Sequence, residues 1–203
     1  MNISNESNSN KSILDDLSKD TVIFISGTPC TGKTTVAANL NDYLSDNGFD
    51  SKLIKINDFA FENDLVLGED PDKLYKVIDI DGLNECLSDE IDKSNDCVLI
   101  VEGHLSHLCE GADKMIVLRL NPSILKGRLE ERNYSESKIQ ENLEAEALAV
   151  CSAEAYEIYG ENTKEIDASD KSVEEIRDLI MAIASDKMEC PVGSIDFMEW
   201  LLQ

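Results

Sequence analysis

The stretch Gly27-Thr28-Pro29-Cys30-Thr31-Gly32-Lys33-Thr34 constrains this chain more than any other. It fits Gly-x-x-x-x-Gly-Lys-Thr, follows the apolar run Val22-Ile23-Phe24-Ile25 and precedes a helical pattern, the setting in which such a segment wraps phosphate. Successive backbone N–H groups of the loop curl around phosphate oxygens, and the N-terminus of the following helix adds partial positive charge. Glycine at both ends lets the backbone turn and approach closely. Lys33 is then expected to reach the β- and γ-phosphates and the Thr34 hydroxyl to take one place on Mg²⁺.

With 203 residues and no break in composition, the chain is long enough for one α/β domain with a sizeable core. The net charge of −24 excludes wide electrostatic contact with nucleic acid, because such a surface repels a phosphate backbone. Two explanations of the acidity stand side by side: a heavily solvated surface suited to a salty cytoplasm, or recognition of a basic partner. No apolar run approaches the length of a membrane span. Six cysteines without a Cys-x-x-Cys pair, and no signal-peptide pattern, predict a soluble protein in the reducing cytoplasm.

Residues 1–19 hold few apolar side chains and are expected to form a disordered extension, at least over the first ten or so. The domain proper is expected over 20–186. Continuous apolar runs mark strands at 21–26, 52–56, 97–101 and 115–120, with a weaker one at 164–167. Between them, Val36, Leu40, Tyr43 and Leu44 share one helix face, ended by Gly48. Asn57 and Asp58 are candidate caps of a short helix, and from there to Lys93 the pattern reads as helical throughout. It has one stripe at Leu74, Val77 and Ile78 behind Pro71, and another at Leu83, Leu87 and Ile91. Pro122 opens a further helix. Ser135 is read as the cap of one long helix bearing Ile139, Leu143, Ala147 and Val150 and ending at Gly160. A last helix carries Val173, Ile176, Ile180 and Ile183. Strands alternating with helices imply a five-stranded parallel sheet covered on both faces, a three-layer α/β fold. Residues 187–203 form a tail in which Ser194 could cap a final turn, and its large apolar side chains are expected to pack on their own domain.

Beyond the loop, Glu102 ends an apolar strand, where an acid holds Mg²⁺ through water or orients the attacking group. Arg128 and Arg132 are spaced i, i+4 and can close on the same phosphates; the alternative is salt bridging with Glu130, Glu131 and Glu136. His104, His107 and Cys109 could suggest a metal, but no fourth ligand stands at a defined spacing, so His104 reads better as a catalytic-edge or nucleotide-contacting group.

Three ordered motifs, Gly-Thr-Pro-x-x-Gly-Lys-Thr-Thr, Ile-Val-Glu-Gly-His and Arg-Leu-Glu-Glu-Arg-Asn-Tyr-Ser-Glu-x-Lys, resemble the short-lid adenylate kinase family known as adenylate kinase isoenzyme six, over about Val22 to Ile183. The resemblance implies a P-loop NTPase fold that is adenylate-kinase-like. It implies a kinase that phosphorylates AMP with ATP and Mg²⁺, and an ATPase. It also implies a factor in ribosome biogenesis and rRNA processing that binds a basic ribosomal protein of the small subunit. Carried over by position, Gly27, Thr28, Pro29, Cys30, Thr31, Gly32, Lys33, Thr34 and Thr35 match the ATP loop. Glu102 and His104 match the acid-x-His strand end, Arg128 and Arg132 match the lid arginines, and Ala168 to Lys171 match the adenine-contacting loop. Lys33, Glu102, His104, Arg128 and Arg132 are thus the expected catalytic set, with Thr34 and Glu102 at the metal. Two positions depart from the family pattern: Cys30 stands where many members have Gly, and Phe61 about where they carry a monophosphate-gripping Arg, leaving Lys73 or Lys76 as candidates to replace it. A different reading stays open, an ATP-switched assembly factor with little AMP kinase activity. A kinase for another small alcohol or acid fits the loop but lacks a recognisable acceptor base.

Overall fold

Apolar residues in the inner strands run without interruption, so each strand buries both faces, and its odd and even positions feed two separate cores. The computed structural model describes residues 13–69 and 76–202. Strands β1 (Val22–Ser26), β2 (Ser51–Lys55), β5 (Val98–Glu102), β6 (Lys114–Arg119) and β7 (Thr163–Asp167) form one parallel sheet in the order β2-β5-β1-β6-β7. Ile23, Ile25, Ile100, Ile116 and Leu118 point to one face. There they meet helices α1 (Lys33–Asp46), α4 (Pro122–Glu131), α5 (Glu136–Ala147) and α7 (Val173–Ala184). Phe24, Leu99, Val101, Met115 and Val117 point to the other, against α2 (Ile56–Glu62), α3 (Ile80–Lys93) and α6 (Val150–Tyr159). This is the three-layer fold expected from the alternation of strands and helices. The phosphate-binding stretch leaves β1, the central strand, and the chain order reverses direction on either side of it, the place where open α/β sheets form their ligand crevice.

Four local expectations are corrected. Val77 and Ile78 are not helical: β4 (Lys76–Ile78) pairs antiparallel with β3 (Val66–Glu69), and Asp79 then caps α3 by accepting from Gly82 N. β-branched side chains favour the hairpin over a helix, and Gly68, at φ 152°, admits the register shift within it. Pro71 and Leu74 lie outside the described residues. The long helix from Ser135 to Gly160 is two helices, because Ala149 takes a left-handed conformation with φ 55°. The break carries the chain from one face to the other: Leu143 of α5 lies in the first core, Cys151 and Ala155 of α6 in the second. Asn57 and Asp58 lie inside the first turn of α2, whose N-cap is Lys55. Ser194 does not cap the last turn; its hydroxyl donates to Pro191 O, and Asp196 Oδ1 accepts from Met198 N.

The chain ends are held by specific contacts. Of residues 1–19, the first twelve lie outside the described residues, while Leu17 is buried in the first core and Ser185 Oγ donates to Ile13 O. In the tail, Pro191 bridges to Lys164 at the open edge of β7, Glu165 N donates to Cys190 O, and Trp200 packs against the first core.

Candidate active site

Where β1 ends, the chain must turn back sharply over its neighbour β6. A Cβ on Gly27 (φ 137°) would stand 2.4 Å from Leu118 O, so only glycine lets the loop lie this close. Cys30, with φ 70°, holds a left-handed conformation with a side chain on it, and Gly32 (φ 106°) delivers the chain into α1. Gly32 gives that helix no side-chain cap, so the first-turn N–H groups have no side-chain acceptor there. The loop braces itself: Thr31 Oγ1 donates to Thr28 O at 3.0 Å, and Lys33 Nζ donates to Gly27 O and Thr28 O at 2.8 and 2.9 Å. Burial lowers the Lys33 pKa below the ordinary lysine value, against the pull of the nearby Glu102 and Glu146 carboxylates.

Around the loop lies a cleft of about 230 Å³, walled by Pro29, Cys30, Gly32, Lys33, Thr34, Thr35, Asn57, Glu102, Gly103, His104, Arg132 and Tyr134. Thr34 Oγ1 lies 3.1 and 3.2 Å from the two Glu102 carboxylate oxygens, and Glu102 is only 5% exposed. His104 Nδ1 stands 3.2 Å from Gly27 O; burial, then the Lys33 ammonium, lowers its pKa below the ordinary histidine value. Arg128 Nη1 donates to Cys30 O at 3.3 Å, while Arg132, at the end of α4, reaches the cleft wall.

The structure therefore gathers Lys33, Thr34, Glu102, His104, Arg128 and Arg132 about one loop. Thr28 and Thr31 turn their side chains inward, away from the cleft, where both are buried. Ala168 and Lys171 lie in the turn after β7 at the same C-terminal edge of the sheet, outside the cleft wall; Ala168 N donates to Arg119 O. His107 is buried beneath, between Ser26 Oγ and Glu154 Oε2, each at 2.8 Å. The Cys109 thiol points to Leu105 O, and burial pushes its pKa up to about 12. Among the described residues, no group of three or more His, Cys, Asp or Glu side chains is arranged to hold a metal ion. Asn57, Tyr134 and the buried partner of Thr28, Glu146, were missed from sequence. The sequence pattern presents Asn57 only as a helix cap, and nothing in the spacing of Glu146 joins it to the loop.

Cup, helix terminus and strand-end acid on this sheet define a P-loop nucleotide-binding protein. The family model described as an AAA domain matches residues 23–149. A protein of Methanothermobacter thermautotrophicus named "Putative adenylate kinase" is 42% identical over 181 residues, covering 89% of this chain and 99% of the relative. Proteins with the same name from Methanococcus maripaludis and Halobacterium salinarum are 38% and 31% identical, covering 88% of this chain and 96% and 99% of theirs. The chain belongs to this adenylate-kinase-like family. Among solved structures, thymidylate kinase from Candida albicans superposes with a TM-score of 0.50 at 16% identity, over 82% of this chain and 91% of that one. The YorR protein of Bacillus subtilis, solved with phosphorylated GDP, gives a TM-score of 0.52 at 20% identity over 79% and 94%; both likenesses are of fold alone.

Proposed function

We propose that this phosphotransferase moves the γ-phosphoryl group of ATP to a nucleoside monophosphate, AMP before others, and leaks to ATP hydrolysis. The observation that carries the proposal is the clustering of Lys33, Thr34 and Glu102 in one glycine-bounded cup at the start of α1. The loop N–H groups and the α1 terminus bind the triphosphate. Lys33, already poised with its ammonium over the loop, exchanges its carbonyl partners for phosphate oxygens. Arg128 and Arg132 gather charge on the transferring group, and His104, held neutral near pH 7 by burial, fixes the loop at Gly27 O. Positioning and charge neutralisation account for catalysis, since phosphoryl transfer asks little covalent work of the protein. The donor set fits Mg²⁺: a hydroxyl and a carboxylate side by side are hard oxygen ligands. Thr34 and Glu102 would hold the ion, which would supply neutralisation of phosphate charge. Only Arg132 to Ser135 separate α4 from α5, so the lid is short and excludes water poorly, which supports leakage to hydrolysis.

The acceptor side is read along α2. Phe61 lies one helical turn beyond Asn57 and is 45% exposed, with Lys76 Nζ 3.7 Å from its ring centre. A single ammonium there grips a monophosphate less firmly than a guanidinium fork. That weakness is the observation favouring a second reading, an ATP-switched assembly factor that holds a basic protein of the small ribosomal subunit in the cytoplasm. In both readings residues 20–186 are the working unit and 187–203 an appended tail, after an N-terminal extension over 1–19.

The test is turnover of ATP with each of the four common monophosphates in parallel. ADP formed from ATP plus AMP at enzyme-like rates supports the kinase; hydrolysis that ignores AMP but responds to a basic partner supports the switch. Lys33→Ala should abolish transfer and hydrolysis together, and a variant that still transferred would refute the assignment.

A further inference from the structure

A buried line of polar groups joins the phosphate-binding loop to the C-terminal segment. Thr28 Oγ1 donates to Glu146 Oε2 at 2.5 Å. Glu146 Oε1 accepts from Arg119 Nε at 2.8 Å and from Leu120 N at 2.9 Å, and its backbone carbonyl accepts from Arg119 Nη2 at 2.7 Å. Arg119 Nη1 donates to Glu165 Oε1 at 2.6 Å, and Glu165 Oε2 accepts from Gly193 N at 2.9 Å. The side chains of Arg119, Glu146 and Glu165 are 0–2% exposed, so each group depends on its neighbour for every hydrogen bond it cannot take from water. Phe197 closes the far end, its ring centre 5.4 Å from the Arg119 guanidinium carbon.

Two features make this more than a stabilising ion pair. The carboxylate facing the loop is held on both oxygens, so Glu146 cannot turn without releasing Thr28, Arg119 or Leu120. At the other end, the tail supplies the donor that completes Glu165, on a segment held by its edge contacts to β7, by Glu189 pairing with Lys164 and by packing that includes Phe197 over Arg119. A loop that shifts therefore disturbs the tail, and a tail that lifts leaves a buried carboxylate short of a partner.

We propose that Glu146 and Arg119 are positioning residues for the phosphate-binding loop, completed by residues 190–202, so that triphosphate binding and tail docking are thermodynamically coupled. The proposal rests on the reading of Gly27–Thr35 as a nucleotide cup. Coupling of this kind is reciprocal, so either end can report on the other.

Trp200 is the only tryptophan and lies in the tail, which gives the full-length protein its own reporter. The experiment measures acrylamide quenching of Trp200 with and without ATP and Mg²⁺, and ATP affinity separately by calorimetry. ATP should protect Trp200 from quencher. Phe197→Ala, which loosens the tail, should weaken ATP binding about 5-fold or more. Thr28→Val should weaken ATP, abolish the Trp200 response and leave no further effect for Phe197→Ala in the double variant. Thr28→Ser, which keeps the hydroxyl, should restore both the affinity and the response, as a merely space-filling role would not. ATP binding by calorimetry with no change at Trp200, or a Trp200 response that survives Thr28→Val, would overturn the coupling alone. Absence of ATP binding would overturn the nucleotide cup and the coupling with it.

Discussion

Replacing Gly27 by alanine tests the close approach on which the cup depends. The added Cβ would lie 2.4 Å from Leu118 O, where real Cβ contacts under 3.0 Å essentially do not occur, so backbone must move by several tenths of an ångström. β6 cannot be what moves: Val117 pairs with Ser26 on one side, Leu118 with Ile166 on the other, and Leu118 is fully buried. The loop gives way instead, and a non-glycine residue at φ 137° adds about 1–3 kcal/mol of backbone strain. For a chain of this length that is a fall in Tm of about 2–4 °C per kcal/mol. The Gly27 carbonyl partners both Lys33 Nζ and His104 Nδ1, so a shift of the loop displaces two cleft groups at once. Misplacement on the scale of an ångström costs about 100-fold in rate. Urea denaturation and steady-state ATP turnover, read on the same preparation, should therefore show modest destabilisation with disproportionate loss of kcat/KM. A Gly27→Ala protein with unchanged turnover would show that the loop does not need its contact with β6.

Two further outcomes follow from the cleft. Lys76→Ala should raise KM for AMP about tenfold, the order of one hydrogen bond to a charged group, with KM for ATP unchanged, and Phe61→Arg should lower it; equal changes in both constants would remove Lys76 from the acceptor side. His104 has a folded-state pKa below its ordinary value of 6.5, so its contribution to stability is complete above that pH and is lost as pH falls from there through the folded value. Denaturation midpoints between pH 7 and 5 should fall less steeply in His104→Asn than in the unmodified chain, and parallel curves would assign the slope to other groups.

The sequence was most informative where one local pattern decided the geometry. The unbroken apolar strands determine the two-faced sheet, and the Gly-Lys-Thr spacing determines the loop, because both depend on periods or steric needs that neighbours along the chain express. The places of Glu102, His104 and Arg132 at the cleft were legible for a similar reason, the first two from the end of an apolar strand and the third from its i, i+4 spacing with Arg128. The hairpin of β3 and β4 was not, since Val77 and Ile78 sit at positions a helix can also accommodate and only their pairing with Val66 to Glu69 selects the strand. Nor was the break at Ala149, a residue with a high helix propensity held left-handed. There the chain must cross from one face of the sheet to the other, and the Glu146 carbonyl at the end of α5 accepts from Arg119 Nη2 as well as from Ala149 N. Glu146 itself illustrates the limit. It is one glutamate among many on an acidic helix, and its role comes from contacts across 118 residues of chain.

The strong acidity of the chain is compatible with a site for a polyanion because the two act over different ranges. At physiological ionic strength charge is screened over about 8 Å, so remote surface carboxylates scarcely reach the cup. Cations placed at contact in a partly buried cleft are screened far less. The chain has only four arginines, and it spends them sparingly. Arg119 is buried in the polar line to the tail, and Arg177 stacks on Tyr43 and pairs with Asp178. The remaining two, Arg128 and Arg132, both stand by the phosphate loop. Surface acidity then acts mainly on encounter, slowing approach of free nucleotide and speeding approach of a basic protein, without altering the cup. Both readings therefore draw on the cleft, the kinase for transfer and the assembly factor for its switch, and the assembly factor draws on the surface around it as well. Neutralising surface carboxylates bears on the second, and changing Lys33 bears on both.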